Sequence, residues 1–93
     1  MVVGVVELRM VVRGSRSLKD KRRVLKSLKD RLRNRFNISI AEVGRQDSHQ
    51  MVELAVAAVG GDKRYVNGLL SNVVNVASSS AGIELVDYTL EFL

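Results

Sequence analysis

The side chains that could do chemistry in this protein are gathered in one stretch. From Arg13 to Arg35 there are eleven Lys or Arg residues and only two acids, Asp20 and Asp30, a local charge of +9 in 23 residues. The rest of the chain holds four basic and eight acidic groups, so the overall charge of +5 hides a segregation. Segregated charge says more about partners than the total does. Lys and Arg neutralise phosphates and release counterions, which gives affinity for a nucleic acid without choice of sequence. An ordinary solvated helix face would also tolerate these residues, which are good helix formers. So high a concentration with so few balancing acids favours anion binding, with RNA or the ribosome as the expected partner.

Helical spacing of 100° per residue sorts these charges by face. With Leu25 at the centre of the apolar stripe, Lys19, Arg23, Lys26 and Asp30 point outward, and Arg22, Lys29 and Arg33 lie on one flank. Lys19, Arg22, Arg23, Lys26 and Arg33 are the candidate phosphate contacts, extended into the preceding loop by Arg13 and Arg16. Gly14, Ser15 and Ser17 stand just ahead of the helix N-terminus, where free N–H groups favour an anion. Lys21 falls close to the apolar stripe, and is expected to snorkel or to pair with Glu42 or Glu53. An anionic membrane surface is disfavoured, because the helix has no apolar stripe left to insert.

Other chemistry finds little support. There is no cysteine and one histidine, His49, in a turn, so no metal site or other cofactor is expected. No Ser-His-Asp set, P-loop or dinucleotide fingerprint is present, and the protein is expected not to be an enzyme. Glu42 and Glu53 could approach across a hairpin, but read as surface groups. Arg13-Gly14-Ser15-Arg16-Ser17 is a rough positional analogue of the phosphate loop of acylphosphatases, without the wider loop pattern. Asn37, Asn67, Asn72 and Asn75 have no partner motif, and Tyr65 and Tyr88 read as core or rim aromatics.

The elements that must position the basic run follow from periodicity. Val2 to Val12 reads as a strand, with Val2, Gly4, Val6, Leu8, Met10 and Val12 on one face and Val3, Val5, Glu7, Arg9 and Val11 on the other. Ser17 is a good N-cap, with Asp20 three residues on in a variant of the capping box. Leu18, Leu25, Leu28 and Leu32 form a helical stripe widened by Val24, and this helix is expected to reach about Arg35. Ile38 to Val43 and Met51 to Val59 read as a hairpin around the polar turn Gly44 to Gln50. Asp62 caps a second helix whose apolar side is Val66, Leu69, Leu70, Val73, Val76 and Ala77. Ser78 to Gly82 ends it, with Gly82 a natural left-handed stop, and Ile83 to Phe92 is the last strand.

The order β-α-β-β-α-β predicts a ferredoxin-like α+β fold, a four-stranded antiparallel sheet with two helices on one face. At 93 residues and without proline, the chain suits one domain over 1–93 with no linker. The apolar N-terminus is too short to span a membrane and lacks a basic leader, so a cytoplasmic location is expected. The outward set Val5, Glu7, Ser39, Ala41, Glu53, Ala55 and Ala57 has no aromatic ring, which disfavours the base-stacking mode of RRM domains. A small, largely aliphatic face suggests instead a homodimer through the sheet, with the basic helix solvated or holding a small anion. Charge reversal at Arg23 and Lys26 separates the two readings.

Two stretches, Ser17-Leu18-Lys19-Asp20-Lys21-Arg22-Arg23 and Arg35-Phe36-Asn37-Ile38-Ser39-Ile40-Ala41-Glu42-Val43, resemble in order and spacing the YlxP-like family, also called domain of unknown function 503. The resemblance covers essentially the whole chain. It implies a small, bacterial, ferredoxin-like protein. Members are often encoded near factors of ribosome maturation and translation, which implies a ribosome or RNA connection rather than a known activity. One departure stands out. Where the family often carries an Asp-x-Trp-type turn before the third strand, this sequence has Asp47-Ser48-His49-Gln50, so an aromatic stacking role does not transfer.

Overall fold

In the computed structural model, which describes residues 1–93, six elements follow the expected order: β1 (Val2–Val11), α1 (Leu18–Arg35), β2 (Ser39–Gly44), β3 (Met51–Gly60), α2 (Lys63–Ser78) and β4 (Glu84–Phe92). The strands form one antiparallel sheet in the order β2-β3-β1-β4. This is the ferredoxin-like α+β arrangement. The central pair β1–β3 runs without a break from Val2 opposite Gly60 to Val11 opposite Met51. The period-two alternation of β1 and β3 buries Val6, Leu8 and Met10 beside Val52, Leu54, Val56 and Ala58. Against that face α1 places Leu25, Leu28 and Leu32, and α2 places Val66, Leu70, Val73 and Ala77. Each buried Val, Leu or Met side chain among them contributes about 1.5–3 kcal/mol by leaving water. Gly4 sets the closeness of this packing, since a Cβ there would stand 2.7 Å from Val66 Cγ1 and 2.9 Å from Leu70 Cδ1.

Both helix starts are capped by the expected residues. Ser17 Oγ accepts the Asp20 N–H at 3.1 Å, while the Asp20 carboxylate turns back to the N–H of Arg16 at 3.2 Å. The capping box is therefore displaced by one residue. Asp62 accepts the Tyr65 N–H at 2.8 Å. After α2, Gly82 takes φ +78°, which an L side chain would resist, and turns the chain into β4.

The second strand departs from expectation by starting at Ser39 and including Gly44. Its ladder with β3 slips between Glu42 and Gly44, so Val43 is the unpaired extra residue of a bulge and is exposed. As an edge strand, β2 has outward carbonyls to satisfy. Arg33 Nη2 donates to the carbonyl of Ile40 at 3.1 Å, and Gln46 Nε2 donates to that of Glu42 at 3.2 Å.

Lys21 resolves the one ambiguity of α1. Its side chain is 1% exposed, and Nζ donates to the carbonyls of Arg45 at 2.7 Å and Met51 at 3.1 Å. Of the two acids expected as partners it meets Glu42, with Oε2 3.1 Å from Nζ. That oxygen lies off the hydrogen-bonding direction, so the pair is held by charge attraction while the two carbonyls take the protons. Lys21→Met strands those acceptors and the carboxylate, and the expected loss of stability is about 3 kcal/mol. Urea unfolding of Lys21→Met and of Lys21→Met/Glu42→Leu tests this. The double variant should recover part of the loss, and an unchanged midpoint for the single variant would show the ammonium to be dispensable.

Candidate nucleic-acid interface

The turn between β2 and β3 fixes the start of α1, and through it the basic face. Gln50 Nε2 donates to the carbonyls of Arg13 and Ser15, both at 3.2 Å, so the loop after β1 is tied to the same turn that holds Lys21. Within that loop Ser15 is buried, with its hydroxyl donating to the Ser17 carbonyl at 2.9 Å. These bonds engage the Ser15 hydroxyl within the stretch Gly14 to Ser17 that was expected to favour an anion. Ser17 Oγ and the Asp20 carboxylate already occupy N–H groups at the helix entrance, and Asp20 places a negative charge there.

The seven candidate phosphate contacts divide into two groups. Arg16, Lys19, Arg22 and Arg23 are exposed, and none has a carboxylate within ion-pair distance. The other three are engaged. Arg13 pairs with Glu84 on β4, Lys26 Nζ with Asp30 at 2.7 Å one turn along the helix, and Arg33 with the β2 edge. The hydrogen bond from Lys26, helped by the nearby Arg33 and Lys29, holds the Asp30 carboxyl below the ordinary carboxylate range. Lys29 is half-buried, while Arg31 and Arg35 continue the exposed charge to the end of α1.

The sheet face opposite the helices is less uniform than its outward set suggests. Its rows include Ser39, Ala57, Val5 and Glu91, then Ala41, Ala55, Glu7 and Thr89. The next row is a ladder of alternating charge. Arg45 Nε lies 3.6 Å from Glu53 Oε1, and Arg9 Nη2 lies 2.6 Å from Asp87 Oδ2. The hydrogen bond from Arg9, and a second from the Tyr88 N–H, depress the Asp87 carboxyl; in return Asp87 raises Arg9.

A second concave region had no sequence signal of its own. The end of α1 and the first turns of α2 flank an open cleft of about 460 Å³ whose lining includes Arg35, Phe36, Asn37, Arg64, Tyr65 and Asn72. The split βαβ topology forces these segments together, because α1 and α2 run antiparallel on one face. Topology was thus the signal that could have joined Asn37 to Asn72. Tyr65, expected at the core or rim, is 57% exposed at this site. No helix of the protein is long and apolar enough to cross a membrane.

Comparison with known proteins gives a family and a relative. Residues 3–90 match the model of a family described as "Protein of unknown function (DUF503)". The chain is similar to the uncharacterized protein YlxP of Bacillus subtilis (strain 168), with 35% identity over 83 residues, which is 89% of this chain and 90% of that protein.

The depressed Asp87 carboxyl carries a pH signature. Its folded value lies below the unfolded one, so its contribution is complete above the ordinary carboxylate range and is lost as pH falls through the folded value. Asp87→Asn should therefore flatten the acid limb of the stability profile, seen as a smaller drop in urea midpoint between about pH 7 and about pH 3. An acid limb identical to that of the parent protein would remove the Arg9–Asp87 pair from the account.

Proposed function

The chain belongs to the DUF503 family, and from that premise we propose that it is a non-catalytic RNA-binding module whose working surface is the unpaired part of α1 and the loop before it. The observation that carries this reading is the group Arg16, Lys19, Arg22 and Arg23, four exposed cations without a carboxylate partner. Free cations on a rigid helix meet a phosphate backbone without first breaking an ion pair. Arg13, Lys26 and Arg33 join after exchanging their present partners. Recognition is by backbone and shape, because no aromatic ring stands on the outer face of β1 and β3 to stack bases. Ribosomal RNA is the proposed target class, in keeping with the family resemblance of the two α1 and β2 stretches.

A second reading, a homo-oligomer assembled through the sheet, is favoured by the end of the face beyond the charge ladder. There Val3, Val5, Ala55 and Ala57 are incompletely covered and Val59 is 55% exposed. Sedimentation at micromolar concentration decides it, with a single monomeric species counting against it.

The direct test of the first reading is binding to ribosomal RNA, with duplex DNA as control, across a salt series. Log affinity should fall with log salt at about 0.7–0.9 per phosphate, or roughly 3–4 if the four free cations all engage. Lys19→Glu with Arg23→Glu should lower that slope to about 2 and weaken binding at least tenfold, while leaving the oligomeric state unchanged. Absence of binding at about physiological salt would overturn the proposal.

A further inference from the structure

The cleft at the junction of α1 and α2 has a composition that the charge of α1 does not explain. Arg35 and Arg64 bring two guanidiniums with no carboxylate partner, and no acid lines the space. Guanidiniums in that state suit phosphate oxygens, which they bind in a bidentate fork. Arg35 is already poised, its guanidinium lying 5.5 Å from the centre of the Phe36 ring. Tyr65 is braced from behind: the Cβ position of Gly60 is only 2.7 Å from its Cδ2, so the ring rests on bare backbone. The exposed aromatic surface is a platform for a planar heterocycle. Asn37 and Asn72 add two amides, each able to donate and accept at a base edge. The volume, about 460 Å³, falls within the range of small-ligand sites.

Gly68 supplies an independent observation. It stands in the middle of α2 and lines the cleft, and a Cβ there would meet nothing within 4 Å. Packing therefore does not require glycine, and glycine is unfavourable inside a helix. What the missing side chain does is leave the cleft open beside Tyr65, one turn away on the same helix face.

We propose that this cleft is a single-nucleotide site. It holds one unpaired nucleotide of an RNA strand, with the base on Tyr65, its edge read by Asn37 and Asn72, and its phosphate between Arg35 and Arg64. The strand source rests on the reading of α1 as an RNA-binding helix, since Arg31 and Arg35 carry the exposed charge from that helix to the cleft. The nucleotide chemistry stands without it.

The test uses the full chain and four probes, the monophosphates of adenosine, guanosine, cytidine and uridine, followed by amide chemical shifts, with inorganic phosphate as control. At least one nucleotide should shift the amides of Tyr65 and Gly68 in the millimolar range or below, and inorganic phosphate should not. Gly68→Ala should raise Tm by about 4 °C through its helix preference while weakening nucleotide binding severalfold. Tyr65→Leu should weaken it at least tenfold. Lys19→Glu with Arg23→Glu should leave mononucleotide binding unchanged, which separates failure of this site from failure of the helix surface. A single-stranded RNA that binds at least tenfold tighter than the mononucleotide, with the gain lost on that charge reversal, supports the strand source. Equal affinities would overturn that source and leave a free-nucleotide site. Silence of Tyr65 and Gly68 toward all four nucleotides, or an equal response to inorganic phosphate, would overturn the site itself.

Discussion

One buried ammonium organises the half of the molecule that carries its charge. Lys21 reaches from the first turns of α1 to the backbone on both sides of the β2–β3 turn, through Arg45 and Met51, with Glu42 balancing its charge. A buried cation is stable only when its protons are accepted and its charge is met. The turn can therefore take one conformation, with Arg45 in the left-handed region at φ 58°, and α1 can take one register against it. Gln50, leaving the same turn, holds the loop that delivers Arg13 and Arg16. The orientation of the basic surface is thus set by a polar knot and not only by the Leu25, Leu28 and Leu32 stripe.

That rigidity has an electrostatic counterpart. The molecule answers part of its own segregated charge with a carboxylate from elsewhere in the fold, Glu84 for Arg13, or from one turn along, Asp30 for Lys26. The cations left over form a band on the solvent side of α1 and reappear at its far end in Arg35. Exposed pairs of this kind add little to stability. Their effect is on the map of free charge, which they narrow from a whole helix to part of one.

Much of this was legible in the sequence wherever the signal was local. Ser17 and Asp62 mark helix starts because a short polar side chain satisfies a nearby N–H, a relation of three residues. Lys21 stood out because it interrupts an apolar stripe, and Glu42 and Glu53 on the hairpin strands were the acids expected to meet it. The pairs Arg9–Asp87 and Arg13–Glu84 were not legible. They join residues 78 and 71 positions apart, through a β1–β4 register that slips between Arg9 and Met10. The bulge at Val43 shifted the expected second strand for a similar reason, because nothing local in Ile38 to Val43 announces it. The cleft was hidden differently. Asn37, Tyr65 and Asn72 are unremarkable one by one, and only the antiparallel packing of two helices makes them neighbours.

The two borders of the sheet are unequal. On β2, Arg33 and Gln46 occupy outward carbonyls, whereas β4 presents Val86 and Tyr88, 62% and 47% exposed, along a border without such cover. Growth by strand addition needs two open borders per molecule, and this one has a single good one. Two copies joined there would leave only guarded borders at either end, so the sheet is terminated against fibre formation. Arg33 is both a guard of that border and a cation of α1, so a polyanion that drew it away would also unseal the sheet.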